Sequence, residues 1–315
     1  MEEIRIGIST CLLGEQVRYD GGHKHDRYVT DVLGRYFRFV AVCPEVEVGM
    51  GVPREPVRLV RCRDDIRMVG VRSATDHTAS MRRHAARRVE QLRGLDLSGY
   101  ILKKGSPSCG LERVRTYTAM GMPAPASRGL FAHALVEAMP LLPVEEEGRL
   151  CDERLRESFV ERVFAYRRLC GTFSPRWKIA DLVALHTREK MLIASHAPSA
   201  EKELGRLVAA ARQVERAELQ RRYCGLFMRA LARPATRARH VNVLQHMLGH
   251  FRRRLDAPTR AAIADVIERY RTGAAPLVAP ITLLRHYAVL CGVGYLTEQT
   301  YLEPHPAELM LRNHV

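Results

Sequence analysis

The chain is poor in aromatic residues and in lysine, and it contains no long apolar run. Of its 315 residues 6% are aromatic, one is tryptophan (Trp177), and only six of the 50 basic residues are lysine. No stretch of about 18 apolar residues exists, which argues against a membrane-spanning helix. The acidic, strand-like start MEEIRIGIST is also unlike a signal peptide. The sequence therefore predicts a cytoplasmic protein with no membrane partner.

Cysteine is too sparse for a disulfide scaffold. Eight cysteines in a chain of this length are few compared with small secreted domains that depend on disulfides. In the reducing cytoplasm these thiols stay free and are available as ligands or nucleophiles.

Positive charge is in excess and is unevenly distributed. The formal net charge is +15, and residues 171–315 hold 22 Lys and Arg against 12 Asp and Glu. A basic second half favours an acidic partner such as RNA or DNA, although so strong an arginine bias also follows from genomic base composition. Because aromatic residues are scarce there, phosphate contacts are favoured over base stacking.

Residues 1–170 alternate between strand-like and helix-like segments. Short apolar or alternating stretches predict strands at 4–9, 36–42, 57–61, 66–72, 99–103 and 141–144, and helical periodicity predicts helices over 29–36, 76–93, 129–139 and 150–169. Strands that alternate with helices are typical of an α/β fold with a mostly parallel sheet. We therefore predict an α/β N-terminal domain over residues 1–170.

The strand signal ends after a Gly/Ser/Pro-containing linker at residues 171–175. Helix-period segments then predict helices over 178–194, 200–233, 237–255, 259–271 and 279–290, separated by prolines. The second domain, residues 171–315, is accordingly predicted to be all-α.

Three cysteines follow predicted strands of the first domain, each in a glycine- or proline-flanked turn. They are Cys11, Cys43 and Cys109, which are 32 and 66 residues apart. The carboxyl ends of parallel strands share one edge of a sheet, so three thiols can converge there. The spacing matches neither a ferredoxin nor a zinc ribbon. The residues alone are consistent both with a metal centre that lacks a fourth ligand and with three buried structural cysteines.

Polar residues accompany these cysteines. Glu45 follows Cys43 by two positions, which in extended backbone would place both side chains on one face. A carboxylate there can activate water, or it can simply pair with Arg54 or Lys104. Ser106 lies three residues before Cys109 in a turn that can direct hydroxyl groups toward a ligand.

Taken together, the cysteine segments resemble the 2-thiouracil desulfidase family over roughly residues 3–165. The motifs are CLLG at 11–14 with VRYDG at 17–21, CPE at 43–45 followed by GVPR at 51–54, and KGSPSCG at 104–110. The second half resembles the YbgA-type helical domain, whose function is unknown, through Pro276-Leu277 and residues 283–287.

The resemblance implies a [4Fe-4S] cluster held by Cys11, Cys43 and Cys109, whose fourth iron is open and accepts the substrate sulfur. It gives catalytic roles to Glu45 and Ser106. The implied reaction is non-redox desulfidation of a thiolated pyrimidine. This pyrimidine is a thiouracil-like base, a nucleoside or a thiolated base in RNA, and in the last case the basic helical domain would hold the RNA. The alternative is a nucleic-acid-binding protein with a structural or redox-sensing cluster.

Four polar residues that follow Cys11 are candidates for contact with the substrate. Arg18, Asp20, His23 and Lys24 follow Cys11 and are expected to face the polar edge of the pyrimidine or, for His23, solvent. The other five cysteines are predicted to be small buried residues: Cys62, Cys151, Cys170, Cys224 and Cys291.

Overall fold

The computed structural model describes residues 3–63 and 65–313 and divides the chain into two compact units at Cys151/Asp152. The sequence-predicted boundary, between residues 170 and 171, lies in the last turn of a helix that spans Glu153–Thr172. Within the described part of the chain no helix has the length and apolar character needed to span a bilayer.

The first unit contains two four-stranded sheets. Its strands are β1 (Ile4–Ser9), β2 (Phe37–Val42), β3 (Val57–Cys62), β4 (Asp65–Gly70), β5 (Leu97–Leu102), β6 (Val114–Thr118), β7 (Pro123–Ser127) and β8 (Val144–Glu146). One sheet has the order β2-β1-β5-β8 and is parallel throughout. The other has the order β4-β3-β6-β7 with a parallel β3-β6 pair between two antiparallel ones. The predicted α/β class is confirmed.

Most of the predicted helices are present, but the helix predicted over 29–36 is a π turn (Tyr28–Val32) followed by a 3₁₀ turn (Leu33–Arg35), and the one predicted over 237–255 ends at Gly249. The α-helices are α1 (Pro44–Glu47), α2 (Thr78–Arg93), α3 (Leu130–Ala138), α4 (Glu153–Thr172), α5 (Ile179–His196), α6 (Pro198–Ala209), α7 (Arg216–Leu231), α8 (Arg237–Gly249), α9 (Ala257–Thr272), α10 (Val278–Leu290) and α11 (Gly294–Thr297). The second unit has no strand among its described residues, as predicted.

The parallel sheet has a central strand that is buried along its whole length. All six residues of β5 are buried, as expected for a strand covered on both faces. On the second sheet, Leu59, Met68 and Val114 form one apolar cluster with Met81 of α2 and Leu130 of α3. These two helices therefore pack on the second sheet.

Three local expectations were wrong. The strands β6 and β7 were not predicted, because VRTYT and PAPAS are short and β7 is mostly exposed. The residues after Cys43 form the helical turn α1 rather than extended backbone, since Pro44 occupies the first helical position, where its fixed φ is favourable. The single helix predicted over 200–233 is two helices, and the Glu215 carboxylate caps the second by accepting the N–H groups of Ala217 and Glu218.

Gly129 lies against the turn that carries Cys109, and this close approach gives a first prediction. A Cβ at this position would lie 2.4 Å from the Ser108 carbonyl oxygen, which belongs to the backbone and cannot rotate away. We expect Gly129→Ala to destabilise the first unit by about 2 kcal/mol or more, measured by thermal unfolding followed by circular dichroism. Gly171→Ala is the control, because a Cβ there meets nothing within 4 Å. Equal stability of the two variants would contradict the prediction.

Candidate functional site

Three neighbouring strands of the parallel sheet each lead to one of the cysteines. Cys11 lies in the 3₁₀ turn Thr10–Leu13 directly after β1, Cys43 follows β2, and Cys109 lies in the turn after β5. Since β2, β1 and β5 are adjacent and parallel, their carboxyl ends open onto the same edge. All three cysteines line one cavity of about 250 Å³ there.

The thiols are held in surroundings that oppose their ionisation. Burial raises the pKa of Cys109 to about 12. Burial raises the pKa of Cys11 to about 11, although the Lys103 ammonium acts in the opposite direction. The pKa of Cys43, which is half-buried, is also raised by burial. A soft metal centre bound in the cavity would favour the thiolate form of these cysteines.

Glu45 reaches the same cavity from the helical turn α1. Its Oε2 accepts a hydrogen bond of 3.1 Å from Arg54 Nε and a second from Arg54 Nη2. Arg54 also donates to the carbonyl oxygens of Val17 (3.0 Å) and Gly51 (2.9 Å). Glu45 therefore forms the ion pair with Arg54 that the sequence analysis considered. The pair fixes one carboxylate oxygen of Glu45, and both side chains are largely buried.

The other carboxylate oxygen of Glu45 faces two serine hydroxyls. Ser108 Oγ donates to Glu45 Oε1 over 2.7 Å, whereas Ser106 Oγ is 3.4 Å from the same oxygen. The two hydroxyl oxygens are 3.0 Å apart. Ser106 Oγ also accepts the backbone N–H of Cys109 at 3.2 Å. Ser106 therefore shapes the turn around Cys109, and Ser108 makes the shorter contact with the carboxylate.

Two polar residues at this edge were missed by the sequence analysis. Ser9 ends β1, and its hydroxyl accepts the Lys103 N–H at 2.9 Å and hydrogen-bonds to Cys109. Glu147 pairs with the Lys103 ammonium and accepts the Lys104 N–H at 2.7 Å. Ser9 could have been found from the sequence, because it is a polar residue at the end of a largely apolar strand. Glu147 could not, because it is one of three consecutive glutamates and nothing in the sequence distinguishes it from the other two.

The residues expected at the polar edge of the substrate are only partly brought together. Arg18 lines the cavity, but Asp20, His23 and Lys24 are not among the residues that line it. Asp20 lies 3.4 Å from Arg18 Nε, and His23 is exposed. Arg18 is thus the member of this group with direct access to a ligand.

The remaining cysteines differ from expectation in their burial. Cys151 and Cys170 are exposed, so the prediction that they are buried was wrong, and Cys62, Cys224 and Cys291 are partly exposed. Strand-end and helix-terminal positions explain the exposure of Cys62, Cys151, Cys170 and Cys291, because such positions are not covered on all sides. Cys224 is in the middle of α7.

No set of three or more His, Cys, Asp or Glu side chains between residues 3–63 and 65–313 is arranged to hold a single metal ion. A cluster of several irons separates its thiolate ligands further than one ion does, and three cysteines lining one cavity match that kind of donor set in number and softness.

Comparison with known proteins assigns both parts of the chain. The family described as 2-thiouracil desulfurase matches residues 6–147, and the family DUF1722, a protein of unknown function, matches residues 190–306. The chain is 30% identical to the uncharacterized protein YbgA of Escherichia coli, over 51% of this chain and 96% of YbgA. It is also 30% identical to the uncharacterized protein YbbK of Bacillus subtilis, over 33% of this chain and 72% of YbbK.

Among solved structures, a [4Fe-4S]-dependent thiouracil desulfidase, TudS, is 33% identical, with 47% of this chain and 94% of that chain covered and a TM-score of 0.39. With the cysteine motifs and both family matches on the same polypeptide, the chain belongs to the 2-thiouracil desulfurase family through its first unit and carries a DUF1722 region in its second.

Proposed function

We propose that the first unit removes sulfur from a thiolated pyrimidine at the cavity lined by Cys11, Cys43 and Cys109. The observation that carries the proposal is the arrangement of three thiols around one cavity together with the Glu45 carboxylate and its serine partners. The overall change replaces a thiocarbonyl sulfur by the oxygen of water and releases sulfide. The ring carbon keeps its oxidation state, so no external reductant or oxidant is required.

The three cysteines are proposed to hold a [4Fe-4S] cluster, as the family resemblance implies and as the name of the related TudS states for that protein. The residues fit such a group because soft thiolates are the usual ligands of iron–sulfur clusters. When bound, the cluster supplies an iron without a protein ligand, which is a Lewis acid for a soft sulfur atom.

Glu45 is proposed to take a proton from the attacking water. Arg54 binds Oε2 and thereby orients the carboxylate, and Oε1 is within reach of the Ser106 and Ser108 hydroxyls. Through this oxygen the two serines can pass a proton between Glu45 and the substrate. Ser106 keeps the catalytic role that the resemblance implies, with Ser108 as the intermediate hydroxyl group.

The description of the matching family names 2-thiouracil, which favours a free base or a single nucleoside as the ligand. A thiolated base within RNA remains part of the proposal only if the nucleotide is presented by the basic helical unit. None of the matches reported above is described as an RNA-binding protein. The substrate classes are separated by comparing turnover of 2-thiouracil, 4-thiouridine and thiolated RNA.

The test begins with anaerobic reconstitution of the full chain with iron and sulfide. We expect loss of the thione absorbance of 2- or 4-thiouracil, and we expect Cys109→Ala to abolish both this loss and stable cluster incorporation. Cys62→Ala is the matched control, since Cys62 is in the same unit but does not line the cavity. Full desulfidation by Cys109→Ala would overturn the proposal.

A further inference from the structure

The helical unit contains a polar cavity of its own, separate from the cysteine site. It has a volume of about 280 Å³ and lies between the start of α4, the end of α5, the start of α8 and the end of α9. Its lining includes Arg154 and Glu157 of α4, Arg237 and His240 of α8, and Tyr270 of α9. No function is assigned to the family that covers most of this unit.

The floor of this cavity contains a buried ion pair whose hydrogen bonds are complete. His196 Nε2 is 2.5 Å from Glu161 Oε1, and His196 Nδ1 is 2.7 Å from the Arg233 carbonyl oxygen. Both ring nitrogens face acceptors, so the imidazole donates through both and carries a positive charge. Arg312 Nη2 lies 3.3 Å from the other oxygen of Glu161. Both ring nitrogens of His196 are thus occupied, which leaves the imidazole no position for a ligand.

Glu157 is a carboxylate of the cavity lining with few contacts to protein groups. Its only ion-pair contact among the described residues is a 3.4 Å approach of Oε1 to Arg312 Nε, and that nitrogen has no hydrogen-bond partner there. Burial raises the pKa of Glu157 to about 7. The Arg312 guanidinium lowers this pKa and the Glu161 carboxylate raises it. A cationic group placed in the cavity would stabilise the ionised form.

Tyr270 supplies an independent indication of a ligand. Its side chain is 0% exposed, and its hydroxyl has no partner among the described residues. Arg237, Glu157 and Arg154, which line the cavity, all act electrostatically on this hydroxyl, which places it near them. A buried hydroxyl without a partner costs about 1–3 kcal/mol, so a bound molecule that completes its hydrogen bond would be stabilising.

Cationic groups lie at the rim of the same cavity. Arg154 is exposed, and no side-chain partner is present for it in the described part of the chain. Arg237 is at the first position of α8, where its guanidinium lies 5.2 Å from the centre of the Tyr270 ring and donates to the Tyr270 carbonyl oxygen. The positive end of the α8 dipole adds to their field. The cavity lining therefore offers guanidinium groups for an anion and the Glu157 carboxylate for a cation.

We propose that this cavity binds a small zwitterion of the amino-acid class, with its ammonium group at Glu157 and Tyr270 and its carboxylate at Arg154 and Arg237. A nucleotide fits less well, because the Tyr270 ring is already covered by Arg237 and His240 and offers no free face for a base. The proposal does not depend on the desulfidase reaction.

Isothermal titration calorimetry on the full-length holoprotein tests this inference, with each of the common L-amino acids as ligand at millimolar concentration. We expect at least one to bind, and we expect its decarboxylated amine and its deaminated acid each to bind about tenfold more weakly or worse. Glu157→Gln and Arg154→Ala should each weaken binding by about tenfold. Tyr270→Phe should weaken it by about two- to tenfold without lowering stability, because the lost hydroxyl has no partner to leave unpaired.

The controls exclude folding artefacts. Arg154→Ala changes an exposed side chain, so it cannot act by unfolding the unit, and Arg253→Ala removes a comparable exposed guanidinium away from the cavity. Binding that survives Glu157→Gln and Arg154→Ala would overturn the proposal, as would heat from none of the amino acids, which would mean that the cavity holds water only. Desulfidation is not measured in this experiment, so its result is independent of the proposed reaction.

Discussion

Replacing Glu45 by glutamine is expected to reduce thiouracil turnover by about 10²–10⁴-fold while the cofactor stays bound. Glutamine keeps the shape of the side chain and can still accept a hydrogen bond from Arg54, but it cannot take a proton from water. The cysteines that are proposed to hold the cluster are unchanged in this variant. Turnover is measured from the loss of thione absorbance, and cluster content from iron and sulfide analysis of the same sample.

The serine variants refine this result. Ser108 makes the 2.7 Å contact with Glu45, and Ser106 is 3.4 Å away but also accepts the Cys109 N–H. If Ser108 relays the proton between Ser106 and Glu45, both Ser106→Ala and Ser108→Ala should lose activity at equal cluster content. Direct transfer between Ser106 and Glu45 instead predicts the larger loss in Ser106→Ala. Undiminished turnover of Glu45→Gln would show that Glu45 is not the base. An intact cluster with no desulfidation by the wild type would instead favour the alternative in which the cluster is structural or senses redox state. Steep salt dependence of nucleic-acid binding would then be the property to measure.

The second large effect is expected in the helical unit, where His196→Gln should lower the free energy of unfolding by about 3–5 kcal/mol near pH 6. His196 is 2% exposed and is paired with the buried Glu161 carboxylate. Removing one partner leaves the other charge buried without full compensation, which is the costly way to break a buried pair. Trp177 is the only tryptophan and is buried in this unit, so its fluorescence reports unfolding there specifically.

The cost of this substitution should depend on pH in a defined direction. Burial disfavours the His196 cation, but the Glu161 carboxylate and the Arg233 carbonyl more than offset it and raise the pKa above 6.5. A histidine with a raised pKa stabilises the fold fully below its unfolded-state pKa and loses that contribution as pH rises through the folded value. The difference between wild type and His196→Gln should therefore be largest near pH 6 and shrink as pH rises from about 6.5.

Other charged groups around His196 do not reverse this sign. Glu157 titrates in the same range, since burial raises its pKa to about 7, and the His196 cation favours its ionised form. Loss of this attraction in His196→Gln acts in the same direction as loss of the pair with Glu161. His186→Gln is a matched control, because His186 is also buried but pairs with the Tyr223 hydroxyl instead of a carboxylate, and burial lowers its pKa. We expect this variant to cost about 1 kcal/mol. A pH-independent cost of His196→Gln would contradict the ion-pair assignment.

Local sequence signals determined the elements that carry the cysteines. Alternating or apolar runs located β1, β2 and β5 within one to two residues, since side-chain periodicity is a property of neighbouring residues. The sequence motifs also identified Cys11, Cys43 and Cys109 and the residues Glu45 and Ser106, whose catalytic and ligand roles stay predictions. The α/β class followed from the order of elements alone.

The backbone conformation near the cysteine cavity was harder to predict from the sequence. The extended geometry expected for residues 43–45 was wrong because Pro44 starts a helical turn, yet Glu45 still lines the cysteine cavity. Two strands of the second sheet, β3 and β4, were predicted, but β6 and β7 were missed. Both are only five residues long and β7 is mostly exposed, so they are defined by the pairing of β6 with β3 and of β7 with β6 rather than by their own periodicity.

The sequence by itself determined the periodic elements, the helical character of the second unit and the set of cysteines at strand ends. Only the tertiary structure decided that β2, β1 and β5 are neighbours, that Ser108 is closer than Ser106 to Glu45, and that Arg154, Glu157, Arg237 and Tyr270 share a cavity. Periodicity records which face of an element is buried, but it carries no information about which distant element covers that face. Contacts between residues more than 100 positions apart, such as Glu157 with Tyr270 or Arg312, are set by packing of the whole unit.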